Sequence, residues 1–225
     1  MDAVPIVQDA AKKPQANAKR ARCHPLVFSY DESPSGIDSN LLILLHGLGD
    51  TNLPFQRLGK QLAGNLPQTA VLSLRGASAV PFLDQPGYSW WQVWDDIGQG
   101  TLRSINTASH LSDITSHPLS NAEIDPPNPS TFLSAFSALL DHLTAEVSKG
   151  GCGWPASAIH LFGFGQGASA ALEGAIRWTQ ADRGEEKKIT ELDEEARSSQ
   201  PKRRVGSIVS ICGGLISVSQ GSGEG

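Results

Sequence analysis

The stretch IHLFGFGQGASAAL, residues 159–172, decides the fold class of this chain. An apolar run opens it, Gly163, Gly165 and Gly167 follow, and small residues come after them. This order predicts a buried strand, a tight glycine turn and a helix. Two kinds of site are built on such a unit: a G-x-S-x-G turn that presents a catalytic serine, and a G-x-G-x-x-G/A turn that holds a dinucleotide. The stretch fits neither pattern fully, because the serine position of the first is Gly165.

Other apolar runs alternate with segments of helical period. LLILL, residues 41–45, is apolar on both faces, as a central parallel strand is. Apolar spacing over residues 132–147 predicts one long amphipathic helix, with Ser130 as its N-cap and Gly150 and Gly151 at its end. Further strands are predicted at 26–30, 70–74 and 205–212, and a shorter helix by Phe55, Leu58 and Leu62. The alternation predicts an α/β fold with a mostly parallel sheet and helices on both faces.

The 225 residues predict one domain with tails and two insertions. Polar residues at 98–129 and charges at 181–204 predict loop insertions, and part of the second, residues 185–198, would be either an exposed helix or disordered. The predicted units are a flexible basic tail at 1–24, the domain at 25–216 and a disordered tail at 217–225.

Composition excludes several classes of function. A net charge of −5 gives no reason to expect a nucleic-acid partner. Cys23, Cys152 and Cys212 are too widely spaced for a disulfide framework or a metal site, so a reducing compartment is expected. No apolar run is long enough for a leader or a membrane span. We therefore expect a cytoplasmic protein, with a nuclear location as the alternative because of the basic cluster KRAR at 19–22.

The dinucleotide interpretation rests on Gly163, Gly165 and Ala168, with Asp182 as the acid that would bind a ribose. That acid should lie at the end of the next strand. Asp182 instead opens a charged run, so a dinucleotide-binding domain is only a remote alternative.

A second motif favours the serine-type turn. LLILLHGLGD, residues 41–50, is a buried strand that runs into His-Gly-x-Gly. Gly47 and Gly49 would let the backbone approach a reacting carbonyl, because a side chain there would block it. The N–H groups of Leu48 and Gln166 would then form an oxyanion hole, helped by the positive end of the helix that begins at Gln166.

Four stretches together resemble the phospholipase/carboxylesterase family, which includes the acyl-protein thioesterases. They are LLILLHGLGDT at 41–51, PGYSWWQVWDD at 86–96, IHLFGFGQGASAAL at 159–172 and VGSIVSICGGL at 205–215. The resemblance implies an α/β-hydrolase fold, a Ser-Asp-His triad, no cofactor and no metal. It also implies hydrolysis of an acyl ester or thioester, carried by a small molecule or by an acylated protein.

Three departures from the family bear on the chemistry. Gly165 offers no oxygen or sulfur to attack a carbonyl. The family order is Ser, Asp, His, but His160 is the last histidine here and precedes the turn. The family's C-terminal strands are missing after 205–212, which favours a truncated product, with a homodimer through the open sheet edge as the alternative. We therefore expect weak or no activity; the alternative function is a non-catalytic acyl- or lipid-binding pseudo-hydrolase.

Gly165 also has a physical explanation. The residue at such a turn has positive φ, which costs a non-glycine residue roughly 1–3 kcal/mol. A glycine would relieve this strain once the serine had lost its use.

Other candidate residues have plainer interpretations. Ser169 is favoured as a small packing residue, Cys212 as a buried structural cysteine and His46 as a side chain that orients its loop. Asp95 and Asp96 are favoured as solvated loop acids over a metal pair.

An aromatic cluster either lines an acyl pocket or packs in the core, and the sequence leaves both open. Its members are Tyr88, Trp90, Trp91 and Trp94.

Overall fold

The computed structural model of the chain describes residues 12–92, 129–186 and 203–215. Its strands are β1 Val27–Asp31, β2 Asn40–Leu45, β3 Thr69–Arg75, β4 Ser78–Ala79, β5 Tyr88–Ser89, β6 Ile159–Phe164 and β7 Ser207–Ile211. Its α-helices are α1 Ala18–Ala21, α2 Asn52–Asn65, α3 Pro129–Thr144 and α4 Gln166–Glu186. The main sheet has the order β1-β3-β2-β6-β7, and β4 pairs with β5 beside it. Only β1 is antiparallel to its neighbour in the main sheet, so the predicted mostly parallel α/β fold is confirmed.

The middle of the sheet is buried on both faces because helices cover both. Leu41, Ile43 and Leu45 of β2 are fully buried in the larger core cluster, which also contains residues of α3 and α4. Leu44 points to the opposite face and packs in a second cluster with Ala63 of α2. Alternate side chains of a strand point to opposite faces, so one apolar run serves both clusters.

Helix α3 differs at both ends from the prediction. It begins at Pro129, so Ser130 lies inside the helix instead of capping it. It ends at Thr144, and Val147 lies in a separate 3-10 turn, Val147–Lys149, where its side chain is exposed. The helix ends early because the chain folds back: the N–H of Cys152 donates to the carbonyl of His142 at 3.0 Å. Gly150, at φ 83°, closes the short turn and not the helix.

The predicted flexible tail at 1–24 needs correction for residues 12–24. Ala21 and Cys23 are buried in the main core cluster, and the side chain of Asn17 caps α1 by accepting from two backbone N–H groups. Basic side chains surround these two small residues in the sequence and hide their apolar signal. Residues 1–11 lie outside the described part of the chain.

The predicted insertions fall mostly outside the described residues. Residues 98–128 and 187–202 are not described, nor is the predicted tail at 217–225. The second insertion was predicted to begin at residue 181, but α4 continues to Glu186, so its first residues are helical. Among the described helices, none combines the length and apolar character that crossing a membrane requires.

Strand β7 is an edge strand within the described residues, as predicted. It pairs with β6 on one side, and the side chains of Val209 and Ile211 are 47% and 39% exposed. The chain turns directly after it, and Cys212 has φ 58° and an exposed side chain. The prediction that Cys212 is buried is wrong, because its side chain is exposed at the turn where the chain leaves β7.

Candidate functional site

The turn between β6 and α4 is built around Gly165. Its backbone has φ +54°, and its N–H donates to the carbonyl of Ile211 in β7 at 2.8 Å. Its carbonyl accepts from the N–H groups of Ala168 and Ser169, at 3.0 and 3.3 Å. Gly165 therefore connects β7 with the first turn of α4, and it holds the left-handed conformation predicted for this position.

The glycines on either side of Gly165 are required by space. An ideal Cβ on Gly163 would lie 2.4 Å from Cα of Ala168. One on Gly167 would lie 2.3 Å from the carbonyl oxygen of His46. Both distances are far below contact distance and involve backbone atoms, so any side chain would force backbone shifts. These two glycines let β6, α4 and the turn after β2 touch.

Position 165 has room that its neighbours lack. An ideal Cβ there would lie 3.8 Å from Cα of Gly47, an ordinary van der Waals contact. A side chain at residue 165 would thus be directed at the loop that follows β2. The structure brings together the two turns that the sequence singled out, and it leaves space for a side chain at the position occupied by glycine.

His46 orients the loop after β2, as the sequence favoured. Its ring is fully buried, its Nδ1 lies 2.7 Å from the carbonyl oxygen of Gly47, and its Nε2 accepts from the N–H of Gly76 at 2.9 Å. Nε2 is therefore unprotonated, and the proton on Nδ1 is donated to Gly47. Burial lowers the pKa of His46, which keeps the ring neutral. With both ring nitrogens engaged, His46 is not available as a general base.

The rest of this loop is held by β5. Gly49 has φ +80°, its N–H donates to the carbonyl of Tyr88, and the N–H of Tyr88 donates to the carbonyl of Asp50, both at 2.9 Å. The exposed Leu48 lies between the two loop glycines. Gln166 is the first residue of α4, so no carbonyl one turn earlier in the helix receives its N–H. The oxyanion hole formed by these two N–H groups stays a prediction.

The side chain of Gln166 links the two turns, a role that the sequence did not reveal. Its Oε1 accepts from the N–H of Trp90, and its Nε2 donates to the carbonyl of Trp91, both at 3.0 Å. The indole Nε1 of Trp90 donates to the carbonyl of His46 at 2.8 Å. Three hydrogen bonds thus tie the start of α4 to the end of β2 through two tryptophans. A glutamine next to the turn was visible in the sequence, but its partners lie far along the chain.

The aromatic cluster is mainly part of the core. Trp90 is fully buried, with ring centroids 4.9 Å from His46 and 5.4 Å from Phe132. Trp90 therefore cannot line an open pocket with its ring. Trp91 is 8% exposed, and Tyr88 is half-buried with the guanidinium of Arg75 4.2 Å above its ring. A pocket wall made by these two stays a prediction, and Trp94 lies outside the described residues.

The remaining candidates give no catalytic group. Ser169 is buried, and its Oγ accepts from the N–H of Gly214 at 3.2 Å, which agrees with the predicted packing role. Asp182 lies within α4 and not after a strand, which removes the basis of the ribose interpretation. Asp95 and Asp96 lie outside the described residues. Within the part of the chain that the structure describes, no three His, Cys, Asp or Glu side chains are grouped to hold a metal ion.

Comparison with known sequences finds two relatives named as hydrolases. No family model matches the chain. A protein named as an uncharacterized hydrolase of Mycosarcoma maydis is 38% identical over 190 residues, which cover 84% of this chain and 55% of that protein. A second uncharacterized hydrolase, from Schizosaccharomyces pombe, is 31% identical over 134 residues, covering 59% of this chain and 44% of that protein. The chain therefore spans about half the length of the named relatives it matches.

Solved structures give a weaker likeness. The crystal structure of an esterase called PE8 is 20% identical, with a TM-score of 0.48, and the match covers 87% of this chain and 93% of that one. Acyl-protein thioesterase 2 of Zea mays is 21% identical, with a TM-score of 0.37, over 67% of this chain and 50% of that one. At these values the likeness adds nothing to the topology described above.

Three features define an α/β-hydrolase fold: the order of the sheet, the Gly165 turn after β6 and the glycine loop after β2. The match to two proteins named as hydrolases agrees with the predicted resemblance to a hydrolase family.

Proposed function

We propose that the protein is of the carboxylic-ester or thioester hydrolase type and that residue 165 supplies no covalent step. The observation that carries this proposal is the shape of the Gly165 turn between β6 and α4. Gly165 has the conformation of a nucleophile turn and faces Gly47, yet it has no side-chain oxygen or sulfur. Covalent acyl transfer needs an atom that attacks the carbonyl carbon and then carries the acyl group. A turn of this shape without that atom supports binding of an acyl carbonyl more than its cleavage.

The proposed ligand is an acyl ester or thioester, carried by a small molecule or by an acylated protein. Its carbonyl oxygen would accept from the N–H groups of Leu48 and Gln166, the second of which lies at the positive end of α4. No cofactor is needed for this recognition. The partly buried hydrogen bonds of Gln166 to Trp90 and Trp91 would hold the two donors in a fixed relation before the ligand arrives.

A second candidate is a binding module without turnover, and Gly165 favours it specifically. Substituting Gly165 by serine restores an oxygen at a position with room for a side chain. Among the described residues, His46 in the adjacent loop has both ring nitrogens engaged, so it does not supply a general base for that serine. Gly165→Ser should therefore gain little activity, and Gly165→Ala is the matched control that adds the Cβ without the oxygen.

Covalent labelling with a fluorophosphonate probe and turnover of a short-chain nitrophenyl ester together test the proposal. Because residue 165 supplies no attacking atom, the native protein and Gly165→Ala should bind a fluorescent long-chain acyl thioether equally and saturably, and any ester turnover should be weak and equal in the two. Labelling of the native protein at a serine would show that another residue attacks the acyl carbonyl, which would refute the binding module and support the hydrolase. Saturable binding without turnover would select the binding module over the hydrolase. Absence of both binding and turnover would refute both candidates.

A further inference from the structure

A basic groove lies between α1 and the C-terminal end of α3. It has a volume of about 670 Å³ and is open to solvent on one side. Its charged and titratable lining side chains are Lys19, Arg20, Arg22, Asp141, His142 and Lys149. The N–H of Trp154 donates to the carbonyl of Leu143 just before β6 begins, so the groove lies near the start of β6. The Gly165 turn follows the other end of that strand, so the groove is separate from the site described above.

The cations of the groove outnumber its acids. Lys19, Arg20 and Arg22 are exposed and form no ion pair within the described residues. Lys149 is paired with the exposed Glu146 at 3.1 Å, a contact that solvent weakens. The three unpaired cations therefore concentrate positive charge in a chain whose net charge is −5.

The one carboxylate in the lining is already engaged. Oδ1 of Asp141 accepts from the indole Nε1 of Trp178 at 2.8 Å and lies 3.4 Å from Nη2 of Arg203. Its charge is thus directed at α4 and at the chain before β7, and it does not neutralise the basic side chains of α1.

The basic side chains stand on a fixed backbone. The N–H of Asn17 donates to Nε2 of His142 at 3.4 Å, and Ala21 is buried against the core. Nε2 of His142 also lies 3.6 Å from Sγ of Cys152. His142 therefore serves as an uncharged acceptor that joins α1 to α3. Because this backbone is already ordered, binding of an anion would cost less backbone entropy.

We propose that this groove binds an anion carrying several phosphate groups. The planar guanidinium groups of Arg20 and Arg22 match phosphate oxygens in bidentate geometry, and Lys19 adds a point charge beside them. Three unpaired cations within four residues fit a multiply charged ligand better than a single carboxylate. The KRAR cluster, whose sequence suggested a nuclear address, is in this view a folded phosphate-binding element.

Calorimetric titration of the full chain with sodium tripolyphosphate at low salt tests the proposal. The groove variant is Lys19→Gln/Arg20→Gln/Arg22→Gln. The matched control, Lys12→Gln/Lys13→Gln/Lys60→Gln, removes the same charge from side chains outside the groove. We expect the groove variant to bind at least about tenfold more weakly, the effect of losing one strong charge-assisted hydrogen bond. The control should stay within about twofold of the native protein, and circular dichroism should show both variants folded.

A second measurement separates the two sources of such a ligand. Sedimentation with phosphatidylcholine vesicles, with and without phosphatidylinositol bisphosphate, tests a lipid headgroup. Groove-dependent binding of tripolyphosphate alone supports a soluble phosphorylated ligand, and groove-dependent binding of the vesicles supports the headgroup. Equal loss in the groove variant and the control, or binding in neither measurement, would overturn the proposal.

Discussion

The β6–α4 turn and the edge strand β7 are bonded neighbours, yet their residues are constrained in opposite ways. Around the turn, Gly163 and Gly167 have backbone atoms where a Cβ would stand. Along β7, the side chains of Val209 and Ile211 are substantially exposed, and the described sheet pairs this strand on one side only. The first region is closely packed around its glycines, and the second pairs with one strand and leaves most of its side chains exposed.

The difference separates glycines that close packing requires from a glycine that it does not require. Gly163 and Gly167 are glycines because nothing larger fits. Gly165 lies between them and has space for a side chain, so only its φ of +54° favours glycine. Lack of space therefore does not impose a glycine at this position. A larger residue could stand there at the cost of a strained backbone alone.

Among the variants considered, Gly167→Ala should lower the free energy of unfolding the most. Its Cβ would lie 2.3 Å from the carbonyl oxygen of His46 and 2.4 Å from that of Leu45, so β2 and α4 would have to separate. We expect the free energy of unfolding to fall by about 3 kcal/mol, the upper end of the usual cost of overpacking. Urea denaturation followed by tryptophan fluorescence measures it.

Gly165→Ala is the control within the same turn. Its Cβ meets only an ordinary contact with Gly47, so the remaining cost is the left-handed backbone, about 1–2 kcal/mol. An equal fall in the free energy of unfolding for Gly167→Ala and Gly165→Ala would show that the space around the two glycines does not differ in the way described.

Stability should depend on pH through the buried ring of His46. Burial lowers the pKa of His46 in the folded state, while the unfolded ring titrates near about 6.5. The unfolded chain therefore binds more protons as pH falls, and the stabilisation present above that pH is lost on acidification. We expect a loss of at most about 1.4 kcal/mol per pH unit from this ring below about pH 6.5. Urea titrations between about pH 7.5 and 5.5 measure the slope.

His142 also contributes to the dependence of stability on pH, and variants of the two histidines separate their contributions. Burial, with a smaller effect of the charge of Arg20, also lowers the pKa of His142, so it acts in the same direction. His142→Gln should leave part of the slope, and His46→Gln should remove the larger part because His46 is fully buried. Stability that stays constant or rises on acidification would contradict a neutral His46.

The strands were predictable because apolar runs report burial directly. Residues 159–164 match β6, and residues 41–45 and 70–74 lie inside β2 and β3. The elbow and the glycine loop could also be recognised, since their residue types follow from close backbone approach. The sequence pattern was sufficient to predict an element wherever residues close in sequence determine its structure.

Features that depend on distant residues could not be predicted. The sequence shows Gln166, Trp90 and His46, but not that hydrogen bonds join them. Helix α3 ends where Cys152 folds back onto it, which its own apolar spacing cannot indicate. Cys212 follows an apolar strand, so burial was the natural expectation. Its exposure depends on which elements cover β7, and a local pattern does not contain that information.

Val209→Thr should have the smallest effect. Val209 is 47% exposed, so exchanging a methyl group for a hydroxyl leaves little buried surface changed and keeps a β-branched residue in the strand. We expect the free energy of unfolding to stay within about 0.5 kcal/mol of the native value. Ile43→Thr in the fully buried β2 is the contrasting variant and should lose several times more, because it buries a hydroxyl in an apolar cluster. Sedimentation velocity on the native protein and Val209→Thr also tests the homodimer that the sequence offers as an alternative at this edge. A native dimer that Val209→Thr weakens would show that a second chain covers β7, and a large loss of stability in a monomer would show that β7 is less exposed than described.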